Sequence, residues 1–260
     1  MKRVTSFIKR YFYAAGSCLY LFMIGFVFSR NRCLISSICH HFGYTTSVKK
    51  LLPPVDLSQI LSYNSAINLH AVNHTDGNVS LVELVVITKF IQEYQPGKLF
   101  EIGTFDGRTT LNMAANSPSG AKIYTLDLPK DNLDSTKFTL DAGDINYVDK
   151  EVSGERYQGK NLEEKITQLY GDSANFDFSQ FYGEIDFVFI DGSHAYDYVL
   201  SDTQNAFKIL KTKNKRIILW HDYGEWNGVT LALNKLYLTD KRFADLRHIE
   251  GTSLAYLVIG

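Results

Sequence analysis

Four short apolar runs set what this chain can become. Lys98–Ile102, Ala121–Leu126, Ile185–Ile190 and Arg216–Trp220 each stop at Gly or at an Asp-bearing end, with helix-patterned segments between them. Runs this short, apolar at successive positions, belong to strands covered on both faces, as in a parallel sheet joined by crossover helices. Tyr124-Thr125 and Phe187-Val188-Phe189 favour strand over helix by propensity. Thr109–Ala115 and Tyr196–Leu210 read as crossover helices, and a fifth strand is expected near Lys165–Tyr170. Ahead of the first strand, Leu81, Leu84, Val85, Ile87, Phe90 and Ile91 recur at helical spacing behind Ser80 and Glu83, a capping-box pair. At the other end, Leu246–Ile249 and Ser253–Ile259 flank Glu250-Gly251-Thr252 and predict an antiparallel hairpin. The fold class is α/β, a three-layer sandwich on a mostly parallel sheet with an antiparallel C-terminal hairpin.

A chain of 260 residues, 45% hydrophobic, has material for one substantial core. The expected organisation is an N-terminal hydrophobic and basic extension over 1–50, a helical lid or connector over 51–95 with a helix from about Leu57 to Ala66, and the main domain over 96–260. A formal charge of −1 offers no broad attraction for phosphates, so no nucleic-acid partner is expected. Cys18, Cys33 and Cys39 have no metal-binding spacing and indicate neither a disulfide framework nor a zinc site. Residues 11–29 carry no charge between Lys9-Arg10 and Arg30, long enough to cross a bilayer but diluted by Tyr11, Tyr13, Gly16, Ser17 and Tyr20. A span and a membrane-surface helix both stay open. A cytoplasmic location suits the rest of the chain better than the orientation the basic flanks would give a span.

The first strand runs into Glu101-Ile102-Gly103-Thr104-Phe105-Asp106-Gly107, an E-x-G-x-x-x-G spacing rather than the G-x-G-x-x-G that seats a dinucleotide pyrophosphate. A nicotinamide cofactor is thereby disfavoured, and one without phosphates is favoured. Ligands of open α/β sheets sit beyond the carboxyl ends of the strands, where Gly103, Thr104, Phe105 and Gly107 form a turn and Glu101 offers a carboxylate. Asp127 and Leu128 follow the second strand, with Asp127 in place to accept from both hydroxyls of a ribose. Asp172 and Ser173 follow the candidate fifth strand and fit an adenine rim, although Asp172 alone reads equally as a turn residue.

Taken together, Glu101-Ile102-Gly103-Thr104, Asp127, Ile190-Asp191-Gly192-Ser193-His194-Ala195-Tyr196 and His221-Asp222 resemble the class I methyltransferases that use S-adenosylmethionine (SAM), in particular their small-molecule and sugar O-methyltransferase branch. The likeness covers residues 80 to 260. It implies a Rossmann-like sheet of seven strands with the last antiparallel, SAM as methyl donor, the glycine loop around its methionine part, and Asp127 and Asp191 at the cofactor. In related metal-dependent enzymes acids at the ends of two neighbouring strands bind magnesium with a third ligand. Here those positions are Asp191 and Asp222, with His221 where an acid is common, so the metal set would be Asp191, His221 and Asp222. Magnesium prefers oxygen, and manganese or another transition metal accepts His221 more readily; acids near the methyl centre without any metal stay an open reading.

His194, three residues beyond Asp191, is the expected general base, an imidazole of ordinary pKa above the cofactor. Tyr196, Tyr223 and Trp226, with Trp220, either wall an acceptor pocket or pack the sheet edge. The long segment Pro129–Asn161 is the expected carrier of acceptor specificity, through Gly154-Glu155-Arg156-Tyr157. The expected acceptor is a hydroxyl of a small molecule or saccharide. The rival reading is a membrane-tethered module that binds SAM or a nucleotide without catalysis. Oligomeric state is not legible.

Overall fold

The computed structural model describes residues 2–28, 48–61, 66–213 and 215–260, together with 31, 34, 35 and 38. Cys33 and Cys39 lie outside them. The chain divides into two compact units, Met1–Thr46 and Ser47–Gly260.

In the first unit, helix α1 spans Lys2–Met23 and a short 3-10 turn follows at Gly25–Val27. The uncharged stretch 11–29 is therefore not one helix: it breaks at Ile24, where the backbone leaves helical geometry ahead of Gly25. Among the described residues no helix is long and apolar enough to cross a membrane.

The second unit is built on an eight-stranded sheet. Its strands are β1 (Pro54–Val55), β2 (Lys98–Ile102), β3 (Lys122–Asp127), β4 (Ile166–Tyr170), β5 (Phe187–Ile190), β6 (Arg216–Trp220), β7 (Arg247–Ile249) and β8 (Ala255–Ile259). They lie in the order β1-β7-β8-β6-β5-β2-β3-β4, and β8 alone runs antiparallel to its neighbours. One strand more than expected appears because Pro54–Val55, in the connector, pairs in parallel with His248–Ile249 at the sheet edge. The connector helix α2 is described over Leu57–Leu61, and residues 62–65 of the expected helix lie outside the described residues.

Helices α3 (Leu81–Tyr94) and α4 (Arg108–Asn116) cover one face, α6 (Tyr196–Ile209) and α7 (Asn227–Thr239) the other, and a one-turn helix α5 (Ile145–Val148) lies in the long insertion. The alternation along the central strands explains the two layers. Phe187 and Phe189 share a core with Leu84, Ile87 and Met113, while Val188 and Ile190 share one with Val199, Ala206 and Leu233. Each such buried side chain contributes roughly 1.5–3 kcal/mol. Helix α3 starts where Ser80 Oγ accepts from Glu83 N–H and Glu83 Oε2 accepts from Ser80 N–H, the expected capping box. Helix α7 was not anticipated; its Val229, Ala232 and Leu233 are buried, but the preceding aromatics suggested a pocket wall instead.

Candidate active site

All the parallel central strands point their carboxyl ends to one edge, and a cavity of about 320 Å³ opens there. Gly103, Phe105, Asp127, Leu128, Asp172, Ser173 and Asp191 line it, as do His194, His221, Asp222 and Trp226. Of the expected cofactor residues, Glu101, Thr104 and Gly107 do not.

Each exception has a packing reason. Glu101 is fully buried under the crevice, where Thr110 and Thr125 donate their hydroxyls to Oε2 while Oε1 has no partner. Burial raises its carboxyl to about 8 against the opposing pull of those two hydroxyls. Thr104 is buried in hydrogen bonds with Thr125 and Gln168. Gly107 stands with φ +81°, where a Cβ would meet Gly154 Cα and the Tyr157 ring at 2.7 Å. Gly103, by contrast, is at the crevice, and its constraint comes from the next strand: at φ +99° a Cβ would lie 1.9 Å from the Asp191 carbonyl oxygen. The absent side chain lets β2 and β5 close together beneath the site.

Asp127 occupies the expected strand tip, and its Oδ2 already accepts from Ser153 Oγ and from Lys150 Nζ at 2.8 Å. Asp172 reads as the turn residue: its carboxylate accepts from the backbone N–H groups of Lys137 and Ala174, from Asn175 Nδ2 and from Tyr198 Oη.

The densest chemistry lies at the tips of β5 and β6. His194 Nε2 is 2.7 Å from Asp222 Oδ2, its Nδ1 meets Asp144 Oδ1, and its ring stacks on Trp226 at 4.0 Å and 12°. Burial alone would lower this imidazole, but the hydrogen bonds to Asp144 and Asp222 raise it to about 10. Where an imidazole of ordinary pKa was expected, His194 lies between two carboxylates that favour its charged form. His221 faces three carboxylates. Its Nδ1 is 3.0 Å from both Asp191 and Asp222, and its Nε2 is 3.3 Å from Glu83. Burial opposes its charge, yet the Asp222 and Asp191 carboxylates raise it well above the usual value. Asp222 is held far below the usual range; burial works the other way, but His221 and His194 outweigh it. Asp222 also sits at φ +66°, a left-handed conformation that Asp tolerates better than most residues.

Asp191, His194 and Asp222 offer ligand atoms that all lie within 4.8 Å of one another and could hold a cation; the expected set had His221 where this one has His194. A carboxylate on Nδ1, here Asp144, is the usual support for an imidazole that binds through Nε2. The mixed oxygen and nitrogen donors suit manganese, iron or zinc better than magnesium.

Trp226 is the one expected substrate aromatic at the cavity. Tyr223 is buried, its hydroxyl accepting from Leu51 and Leu52 N–H and donating to Asn234. Tyr196 lies outside the lining, with Lys235 Nζ 5.6 Å above its ring. Trp220 is core, donating to Thr203. The insertion does reach the cavity, through Leu140, Asp144, Tyr147, Val148 and Lys150 rather than through Gly154–Tyr157. Gly143 sits against the Trp226 ring, where a Cβ would be 2.2 Å from it, so the insertion and Trp226 close on His194 from one side. From the connector, His74, Asp76 and Asn78 also line the space.

Two site residues had no direct signal. Asp144 looks like any loop acid; only its place in an overlong insertion pointed to it. Glu83 was read as a cap, and it also accepts from Ser253 N–H and Oγ and faces His221. Burial raises its carboxyl, but His221 and Ser253 hold it well below the usual range.

Residues 100–223 match the family described as methyltransferase domain. Among solved structures, the chain is similar to the SAH-bound methyltransferase PaMTH1 of Podospora anserina, with 16% identity, 88% of this chain and 94% of that one covered, and a TM-score of 0.52. A putative caffeoyl-CoA O-methyltransferase from Staphylococcus aureus matches at 14% identity over 70% and 85%, TM-score 0.51. The O-methyltransferase TomG from Streptomyces achromogenes, involved in tomaymycin synthesis and solved with SAM, matches at 14% over 86% and 96%, TM-score 0.50. No curated protein matches the sequence. At these identities the structures establish the fold, and neither comparison lends support to a non-catalytic, membrane-tethered module.

Proposed function

We infer that this chain, whose residues 100–223 match a methyltransferase domain, is of the class I, SAM-dependent type and moves the methyl group of SAM to a hydroxyl of a small molecule or saccharide. The observation that carries the reading is a single cavity that joins Gly103 and Asp127 to Asp191, His194 and Asp222. In it, Asp127 accepts from the ribose hydroxyls, and Ser173 borders the adenine. The four carboxyl groups of Glu83, Asp191, Asp222 and Asp144 outnumber the two imidazoles among them, a balance that favours a sulfonium nearby.

Transfer needs the acceptor oxygen in line behind the methyl group, and positioning alone can supply several kcal/mol of the barrier reduction. Trp226 and Tyr147 flank His194 and hold the acceptor against it. To act as base, His194 first gives its Nε2 proton to Asp222; the neutral imidazole, its Nδ1–H donated to Asp144, then takes the acceptor's hydroxyl proton at Nε2. Asp191, His194 and Asp222 also fit a divalent cation, which when bound would polarise the hydroxyl; His194 would then be a ligand rather than the base. Oxygen as the acceptor atom rests on this proton-accepting cluster. The test is His194→Ala assayed with methyl-labelled SAM and a panel of sugars and phenols. The variant is expected to bind SAM as the wild type does and to lose transfer by about 100-fold or more. Unimpaired transfer by the variant would remove His194 from the chemistry.

A further inference from the structure

The chemistry above uses no residue of the unit Met1–Thr46, yet this is the most polarised part of the sequence. Its charged residues are all basic, Lys2, Arg3, Lys9, Arg10, Arg30 and Arg32, and the first acidic residue of the chain is Asp56. A chain of net charge −1 thus carries a purely cationic unit ahead of an acidic remainder. Such segregation marks contact with an anionic surface rather than a property of the fold.

Helix α1 sorts its side chains as strictly. At 100° per residue, Lys9, Arg10, Tyr13, Ser17 and Tyr20 fall on one stripe, and Phe7, Ile8, Tyr11, Leu19 and Phe22 on the opposite one. The apolar stripe is open: Phe7 is 68% exposed and Leu19 65%. Exposed apolar residues gathered on one helix face mark an interaction surface. Its 22 residues make a rod about 33 Å long, with Lys9 and Arg10 on the polar side opposite the apolar stripe, an arrangement that suits lying in an interface. Pairing with a second copy would bring together two units that have no acid between them to neutralise their cations.

We propose that the N-terminal unit docks the protein on an anionic lipid surface through α1, which lies in the plane of the headgroups with Lys9 and Arg10 toward lipid phosphates and its aromatic face toward the acyl chains. The claim is independent of the reaction assigned to the other unit. The test is flotation of the full chain with vesicles of phosphatidylcholine alone or mixed with phosphatidylglycerol, at low and high salt. Binding is expected with the anionic vesicles and to fall as salt rises. The double substitution Lys9→Gln/Arg10→Gln should weaken it about 25-fold, at roughly 1 kcal/mol per charge. Tyr11→Ser, which changes no charge, should weaken it independently through the apolar face. All three positions are exposed, so an unchanged thermal midpoint will report intact folding. Equal binding to both vesicle types, no binding to either, or a stable dimer that leaves vesicles alone would overturn the proposal.

Discussion

Glu101 offers the sharpest quantitative expectation. Its carboxyl is completely buried, receives two hydroxyl donors on one oxygen and none on the other, and is raised from 4.5 to about 8. A carboxyl with a folded pKa above its unfolded one binds protons more tightly in the folded state. Stability therefore falls as pH rises through the window from 4.5 to about 8, and the loss is complete above it. At about 1.4 kcal/mol per pH unit for one proton, the whole window amounts to about 5 kcal/mol. Replacing Glu101 with Gln keeps the shape and the two hydroxyl contacts but removes the titration. Urea unfolding at a series of pH values from 5 to 9 should show the difference, variant minus wild type, growing in favour of the variant toward pH 8. His194 also loses stabilisation as pH rises from 6.5 to about 10, but it titrates in both proteins and cancels in the difference. A constant difference across the series would show that Glu101 is ionised throughout and that burial does not govern it.

Gly103→Ala should destabilise the fold by at least about 2 kcal/mol, since the new Cβ meets the Asp191 carbonyl at 1.9 Å; an unchanged urea midpoint would contradict this. Asp144→Asn removes the carboxylate on His194 Nδ1, so kcat should fall by about 10–100-fold with little change in SAM affinity, and the acidic limb of the pH–rate profile should move to lower pH. Equal losses in kcat and SAM binding would make Asp144 a structural residue only. If a cation is held by Asp191, His194 and Asp222, chelation should abolish transfer and manganese or zinc should restore it better than magnesium.

The strands were legible because each is a compact apolar run with a glycine or acid at its tip. Lys98–Ile102 and Arg216–Trp220 have the expected bounds, and the C-terminal hairpin follows from the Glu250-Gly251-Thr252 reversal. Strand β1 was not, because two residues bearing a proline carry no periodicity; its pairing is a property of the edge left open by β7. The crevice was anticipated at Gly103, Asp127 and Asp191, positions fixed by strand ends. The partners of His194 were not, since Asp144 arrives from an insertion with no repeating pattern. Tyr223 and Trp226 lie three residues apart, and only packing assigns one to the core and the other to the cavity.

The most direct measurement is calorimetric titration of SAM into the wild-type chain and into Asp127→Asn. Loss of charge-assisted bonds to the ribose should cost roughly 1.5–3 kcal/mol, a rise in Kd of about 10–150-fold. An identical Kd in the two proteins, or no heat of binding to the wild type, would contradict a cofactor held between Gly103 and Asp127.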